Sequence, residues 1–428
     1  MECVHSGLDI FAHSGLQTSI QGGTYVEYRP LATLDDGPVE FFVKGNAQYL
    51  DLANSYLKVR AKVVQANGHD LAADAAVFPN NLMLHTLFSD VTVSLNGVQI
   101  TTPSGAYPYQ AYLQTLLSYG TETKKSQLEA AMWYADSGGD FELTDGADNP
   151  GVVARKARAA RSRTIDMMGR LHSDLFHQGK YLLNHLDVRV KLSRSKDALV
   201  LQCARVGGQL PAYKAVIIDA GLHVRKVDVS PVIALAHART LEKANAVYPL
   251  TRTVIRVFSA ATGSLSFAED NLFMDKLPNR IVLGFVKAEA YNGAYNLNPF
   301  NFQHCHVNYL GLYHQGKEIP GKALRPSFAA DGVYTESYMS LFTGTNSAFS
   351  DTSCGVSLHE YRGGYTLFCF DLTPSLTHSH AAVEVTRPGP LRLEVQFEQA
   401  LEQPTNLIVY AELDGHVELT RTREVLIL

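Results

Sequence analysis

The feature that most limits the fold is a stretch whose hydrophobic period changes from 2 to 3.6 across an Asn-Gly pair. Between Asn80 and Gly120 the chain first alternates. Val91, Val93 and Leu95 point one way and Asp90, Thr92 and Ser94 the other, the mark of a half-buried strand. Asn96-Gly97 follows, then Val98 and Ile100. Asn-Gly between alternating runs predicts a hairpin, because a type I′ turn needs positive φ at both central residues. Tyr109, Tyr112, Leu113, Leu116 and Leu117 then fall at i, i+3, i+4, i+7 and i+8, one face of a helix. Pro108 suits its first turn and Gly120 its stop.

The same order of elements returns later. Leu57–Val63 is matched by Ile281–Lys287, and Asn80–Ile100 by Asn298–Ile319, with Gln315-Gly316 in place of Asn96-Gly97. Tyr112, Leu113 and Leu116 correspond to Tyr338, Met339 and Phe342, each 226 residues on (338 − 112, 339 − 113, 342 − 116), and Gly344 takes the place of Gly120. Leu186–Leu192 pairs with Leu391–Phe397, and Val216–Val224 with Leu407–His416. A unit of about 200 residues, made of strands, turns and one early helix, suits an eight-stranded jelly roll. The expected fold is therefore all-β: two tandem eight-stranded jelly rolls, a double jelly roll, with short helices in loops and linker. The expected division is an N-terminal arm (1–24), a first roll (25–229), a helical linker (230–246) and a second roll (247–428).

Local patterns fill in this plan. Met1–Gly23 reads as a loose arm, Tyr25–Tyr28 and Pro38–Val43 as short strands, and Tyr56–Val63 as a strand with one wet face. On Val216–Val224 the side chains of Val216, Ile218, Ala220, Leu222 and Val224 are expected to share a face. Ser126-x-x-Glu129 has the form of a capping box opening a helix over Leu128–Tyr134. Ser230-Pro231 predicts an N-cap and first turn of a helix running to about Leu241. Strands are expected at Thr253–Phe258, Arg280–Val286, Val307–Tyr313, Tyr365–Phe370, Leu391–Phe397 and Asn406–Leu413. Between Asp136 and Arg163 lies a long excursion, first Gly- and Asp-rich and then basic, longer than a simple connection requires. Long loops on a β scaffold carry function, so it is a candidate tower or contact loop.

Composition narrows the function. Of 428 residues 46% are hydrophobic and 18% charged, enough apolar surface for a large core. The net charge of −5 gives no global basic field for nucleic acid. Five scattered cysteines (Cys3, Cys203, Cys305, Cys354, Cys369), without CxxC, argue against a disulfide scaffold. No signal-peptide core, no apolar run of spanning length and no Asn-x-Ser/Thr acceptor occurs, so a cytosolic or nuclear site of synthesis is expected.

Several runs invite a chemical reading. Arg155, Lys156, Arg158, Arg161 and Arg163 could bind nucleic acid or pair with a neighbouring subunit, but Asp136, Asp140, Glu142, Asp145 and Asp148 precede them, and a charge-balanced solvated loop is the simpler expectation. His304 and His306 begin a strand and would share a face, without an identifiable third metal ligand. His378, His380 and Glu384 partly match a cupin metal motif, but the flanking glycines are replaced by Leu372 and Leu391. His177–Lys180 and His314–Lys317 repeat His-Gln-Gly-Lys without a P-loop context and read as turns. Cys203 and Cys369 read as buried fillers. No residue is assigned as catalytic, cofactor-binding or metal-binding, and no cofactor is expected.

The runs NNLMLHTLFSDVTVSLNGVQI and YPYQAYLQTLLSYG resemble the early region of double jelly-roll major capsid proteins (hexon-like), with greatest similarity to the Polinton/Maverick and adintovirus group. YLLNHLDVRVKLSRSKDALVL resembles the late part of the first roll in that family, and GLHVRKVDVSPVIALAHARTLE the passage between rolls. The resemblance covers nearly the whole chain and rests on order and spacing rather than on a short signature. It implies a structural, non-enzymatic subunit that forms pseudo-hexameric homotrimers in an icosahedral shell. It also implies location in the virion, after synthesis in host cytoplasm and assembly there or in the nucleus. The implied partners are other copies of the chain, penton or minor capsid proteins and, more weakly, genomic DNA. A cupin-like metal-dependent enzyme and a tandem jelly-roll carbohydrate-binding protein are the alternatives.

Overall fold

The computed structural model describes residues 16–35, 37–73, 75–144, 148–376 and 387–427. The first ten strands are β1 (Ile20–Tyr28), β2 (Val39–Val43), β3 (Tyr49–Gln65), β4 (Val77–Pro79), β5 (Phe88–Leu95), β6 (Val98–Gln99), β7 (Ile165–Gly169), β8 (Val188–Arg194), β9 (Leu201–Cys203) and β10 (Tyr213–Val229). The next nine are β11 (Ala246–Ala260), β12 (Ser266–Phe273), β13 (Arg280–Lys287), β14 (Val307–His314), β15 (Lys317–Leu324), β16 (Leu367–Asp371), β17 (Leu391–Phe397), β18 (Thr405–Leu419) and β19 (Val425–Ile427). The longer helices are α1 (Tyr107–Ser118), α2 (Pro150–Ala159), α3 (Pro231–Thr240) and α4 (Thr335–Thr343).

The strand order is the same in both halves. The first half pairs β1-β10-β3-β7 in one sheet and β2-β8-β5-β6 in the other, with a separate β4-β9 ribbon. The second pairs β11-β18-β13-β16, with β19 beside β18, and β12-β17-β14-β15. Leaving out the β4-β9 ribbon and β19 and counting eight strands within each half, both read 1-8-3-6 and 2-7-4-5. Every pairing between these strands is antiparallel. This is a jelly roll written twice, and the five element pairs matched in the sequence occupy equivalent places in the two rolls.

Alternation explains the cores. Leu57, Val59, Ala61 and Val63 of β3, Phe41 of β2 and Val188, Val190 and Leu192 of β8 are buried together, while the intervening Lys58, Arg60, Lys62, Arg189 and Lys191 face outward. Each fully buried Val, Leu or Phe contributes about 1.5–3 kcal/mol from its apolar surface. Both hairpin turns have positive φ at their two central residues: Asn96 and Gly97 lie at 47° and 84°, as their types favour, and Gln315 and Gly316 at 51° and 77°. The face of α1 is as expected, with Tyr109, Tyr112, Leu113, Leu116 and Leu117 all buried.

Several local expectations are corrected. Ile20–Gly23, read as arm, is already strand, and β1 closes the edge of β10. The face of β10 is not continuous: Val216 and Ile218 are 37% and 47% exposed, whereas Ala215 and Ile217 are buried. A bulge between Ile217 and Asp219 shifts the phase by one residue, and Ala220, Leu222 and Val224 then point inward. Ser126 forms no capping box; its hydroxyl donates to the Glu122 carbonyl, and only a 3-10 turn follows over Gln127–Ala131. The capping box sits instead at Ser357 and Glu360. The predicted helix after Ser230 is present as α3, and none of its residues is buried.

Candidate functional site

The chemistry-bearing groups converge on the seam between the two rolls, and α1 is its axis. Its face carries Tyr109 and Tyr112 across to roll two. Tyr112 stacks on Phe300 with ring centroids 4.1 Å apart and planes 3° from parallel, and Tyr109 stacks on Tyr291 at 5.4 Å. Trp133, the only tryptophan of the chain, closes the stack on Tyr112 at 5.3 Å. Beside it Lys124 is buried and donates from Nζ to the carbonyls of Leu116 in roll one and Cys354 in roll two, both at 2.6 Å. Burial brings the Lys124 ammonium down to about 8, and the two carbonyls supply its hydrogen bonds.

One side of the seam is locked by fixed charge. Arg155 and Asp136 are both fully buried and form an ion pair through the guanidinium Nη2 and Oδ1. Arg155 also donates from Nε to the Pro79 carbonyl at 3.0 Å and from Nη1 to the Tyr134 carbonyl. The second oxygen of Asp136 accepts from the Asn298 amide of roll two at 3.2 Å, and its backbone carbonyl accepts from the Tyr365 hydroxyl of roll two at 2.6 Å. Asn149 caps α2 through Val152 N–H and turns its amide to Asp136 at 3.1 Å. Each nitrogen of the guanidinium thus has an acceptor, the condition under which a buried ion pair is tolerated. The two backbones nearly touch here: Gly139 N–H donates to the Gly363 carbonyl, and a Cβ on Gly363 would lie 2.6 Å from the Gly138 carbonyl carbon.

The other side holds groups whose charge can change. His85, from the turn Met83–Thr86, meets His172 edge-on at 4.6 Å, and His172 meets His177 at 5.6 Å. The Tyr107 hydroxyl bonds His85 Nδ1 at 2.9 Å and accepts from the His172 N–H at 3.2 Å. His172 Nδ1 lies 2.8 Å from the Gln114 oxygen, so its proton sits there and Nε2 is left facing the Thr115 hydroxyl. From Gln114 the network crosses to roll two: its amide donates to the Thr253 and Tyr410 hydroxyls at 3.2 and 3.3 Å. Tyr410 donates to Glu412, which is ion-paired with Arg280, and the Thr253 N–H donates to Asp174 at 3.2 Å. Burial drives His85 down to about 3 and His172 well below its usual value and pushes Asp174 up to about 6, while His177, at the open edge of the cleft, is brought to about 4 by desolvation between the rolls and by the nearby Arg170. A cleft of about 800 Å³ opens beside them, lined by Arg170, His177, Asp174, Arg280 and Glu412 and rimmed by the loop around Ser347.

The runs singled out in the sequence divide among these places. Arg155 leads not a solvated loop but a buried lock on helix α2, and the excursion Asp136–Arg163, expected as a tower or contact loop, packs Asp136 and Phe141 into the seam. The charge balance expected for it is partly internal, since Asp136 pairs with Arg155 while Glu142 reaches Lys287 of roll two. Arg158, Arg161 and Arg163 are exposed. His304–His306 form a turn before β14, with Cys305 and His306 at φ 47° and 50°, not the start of a strand. Their rings meet at 4.6 Å, with His304 stacked on Phe328. His314–Lys317 is the β14–β15 turn, while His177–Lys180 ends a short helix with His177 in the histidine cluster. Cys203 and Cys369 are buried in β9 and β16, with burial pushing both thiols up. Among the described residues no group of three His, Cys, Asp or Glu could hold a metal. His378, His380 and Glu384 lie outside the described residues. The histidine cluster itself was missed, because its members are 87 residues apart from first to second (172 − 85) and no local spacing joins them.

No family model matches the chain. It is 27% identical over 418 residues to the uncharacterized protein F54H12.2 of Caenorhabditis elegans, which covers 94% of this chain and 96% of that one. Among solved structures, a chain of the Sputnik virophage superposes with a TM-score of 0.70 at 13% identity, covering all of this chain and 92% of that one. The mavirus major capsid protein superposes with a TM-score of 0.54 at 10% identity, covering all of this chain and 93% of that one. With both rolls aligned end to end, the chain has the double jelly-roll fold of the virophage and mavirus capsid structures.

Proposed function

We propose that this chain is the major capsid protein of a double-stranded DNA virus or a virus-like transposon. The observation that carries this reading is the end-to-end match: two rolls of identical strand order cover the whole of this chain and more than nine-tenths of the mavirus major capsid protein. A welded pair of rolls is a rigid brick rather than a reaction vessel. The subunit is non-enzymatic, associates as a pseudo-hexameric homotrimer, and the trimers tile an icosahedral shell with penton or minor capsid proteins at special positions. The likeness to the mavirus major capsid protein supports placing it with the Polinton/Maverick and adintovirus group.

Self-association has a surface to use. Helix α3 (PVIALAHART) has no fully buried residue, and although His237 meets Tyr49, Val232 and Leu235 are exposed. Contiguous exposed apolar side chains mark contact sites. Mass measurement of the purified protein, followed by electron microscopy, tests the reading. Trimers that assemble into shells are the expected result, and a monodisperse monomer at high concentration would overturn it.

A further inference from the structure

We propose that the His85–His172–His177 cluster is a latch that holds the two rolls together at neutral pH and releases them in acid. His172 Nδ1 holds the oxygen of the Gln114 amide, whose nitrogen carries the α1 hydrogen bonds to Thr253 of β11 and Tyr410 of β18, so the cluster orients a side chain that spans the seam. His85 and His172 are buried and His177 opens onto the cleft, and the three imidazoles in ring contact cannot all carry protons without placing like charges about 5 Å apart.

The surrounding groups make that protonation worse. From the segment that bears His172 and His177 come Arg170 and Asp174; from β11, Arg252; from β13, Arg280; from β18, Tyr410 and Glu412; and from α1, the Tyr107 hydroxyl. Arg170 repels a proton on either His172 or His177. Glu412 is the one anion that favours charge on His177, and it is already paired with Arg280 and hydrogen-bonded by Tyr410. Asp174 loses its own charge at about 6, so it is neutral before the histidines of the folded state titrate.

The direction of the pH effect follows. Histidines held below their unfolded value of 6.5 add stability above that pH, and the stability is lost as pH falls from 6.5 towards 4. Asp174, raised, acts oppositely and regains stability as pH falls through 6, but it is one group against three. The net result is a seam that weakens in acid on its histidine side.

The latch is a property of the folded chain and stands apart from the capsid reading; only its use, the loosening of a shell in an acidic compartment, rests on that reading. The test is chemical denaturation of the full chain, in its native assembly state, from pH 7.5 to 4.5, with Trp133 fluorescence and hydrogen exchange over residues 107–118 and 170–177. The folding equilibrium constant should fall by about tenfold per pH unit for each histidine that takes up a proton on unfolding. His177→Gln, which faces the cleft, should flatten the profile by about one such factor, and His172→Gln should do the same if it folds. His69→Gln, in an exposed loop, should leave the profile unchanged. The proposal is overturned if His177→Gln tracks the wild type, or if exchange in 107–118 and 170–177, corrected for intrinsic rate, is no faster at pH 5 than at 7.5. A latch that behaves as expected in a protein that forms no shells would count against the capsid reading alone.

Discussion

Asp136 and His172 both tie roll one to roll two, yet they do so by opposite chemistry. Asp136 holds a charge that is neutralised in place by Arg155 and shared with Asn298. His172 is held neutral and relays through Gln114 to Thr253 and Tyr410. The first contact depends on a permanent ion pair, the second on the absence of charge. A buried group can therefore hold two folded units together either because it is ionised or because it is not, and only the second kind responds to ordinary changes of pH.

The largest expected effect breaks the first contact. Asp136→Ala leaves the Arg155 guanidinium buried without its counter-ion and should cost about 3–5 kcal/mol, read by denaturant titration. The second contact should be weakened by acid alone: between pH 7 and 5 the wild type should lose about 2–4 kcal/mol, given that a full proton difference is worth about 1.4 kcal/mol per pH unit. An unchanged stability over that range would erase the contrast between the two sides. Gln114→Ala should cost about 1–3 kcal/mol by leaving the His172 N–H without its acceptor. Its cost should shrink in acid, where the relay is already failing. The smallest effect sharpens the comparison from outside: Val232→Ser on the exposed helix α3 should change subunit stability by less than about 0.5 kcal/mol, while any loss of self-association seen by sedimentation would mark α3 as an assembly contact.

Much of the fold was legible because strands declare themselves locally. Val91, Val93 and Leu95, the Asn96-Gly97 turn and the α1 stripe are each decided within a few residues, and the repeat at 226 residues set the tandem plan. The bulge in β10 was not legible: one uninterrupted apolar alternation from Val216 to Val224 conceals a phase shift that is imposed by pairing with β3. Strand β12 was passed over because Glu269, Asp270 and Asn271 break its pattern on an outer edge. Ile20–Gly23 was read as arm because two glycines lack a hydrophobic face, although the backbone pairs with β10 all the same. The seam was the least visible part. Arg155 looks like one of five solvated cations, and its burial follows from Pro79, Tyr134 and Asp136, which reach it only in three dimensions. The three histidines share no spacing. The Ser126 and Ser357 capping signals are equally good on paper, and tertiary context admits only the second.

The two rolls are also joined covalently by the short passage through Ser230 and Asn245. A tether of this length keeps the partner surfaces at an effective concentration on the order of millimolar, so that their meeting is an intramolecular event. The seam therefore needs far less intrinsic affinity than two separate proteins would, and can accommodate groups such as neutral imidazoles that a bimolecular interface would have to exchange for something stickier. When such a joint opens, its halves stay within reach, and closing it again is a matter of shedding protons rather than of finding a partner.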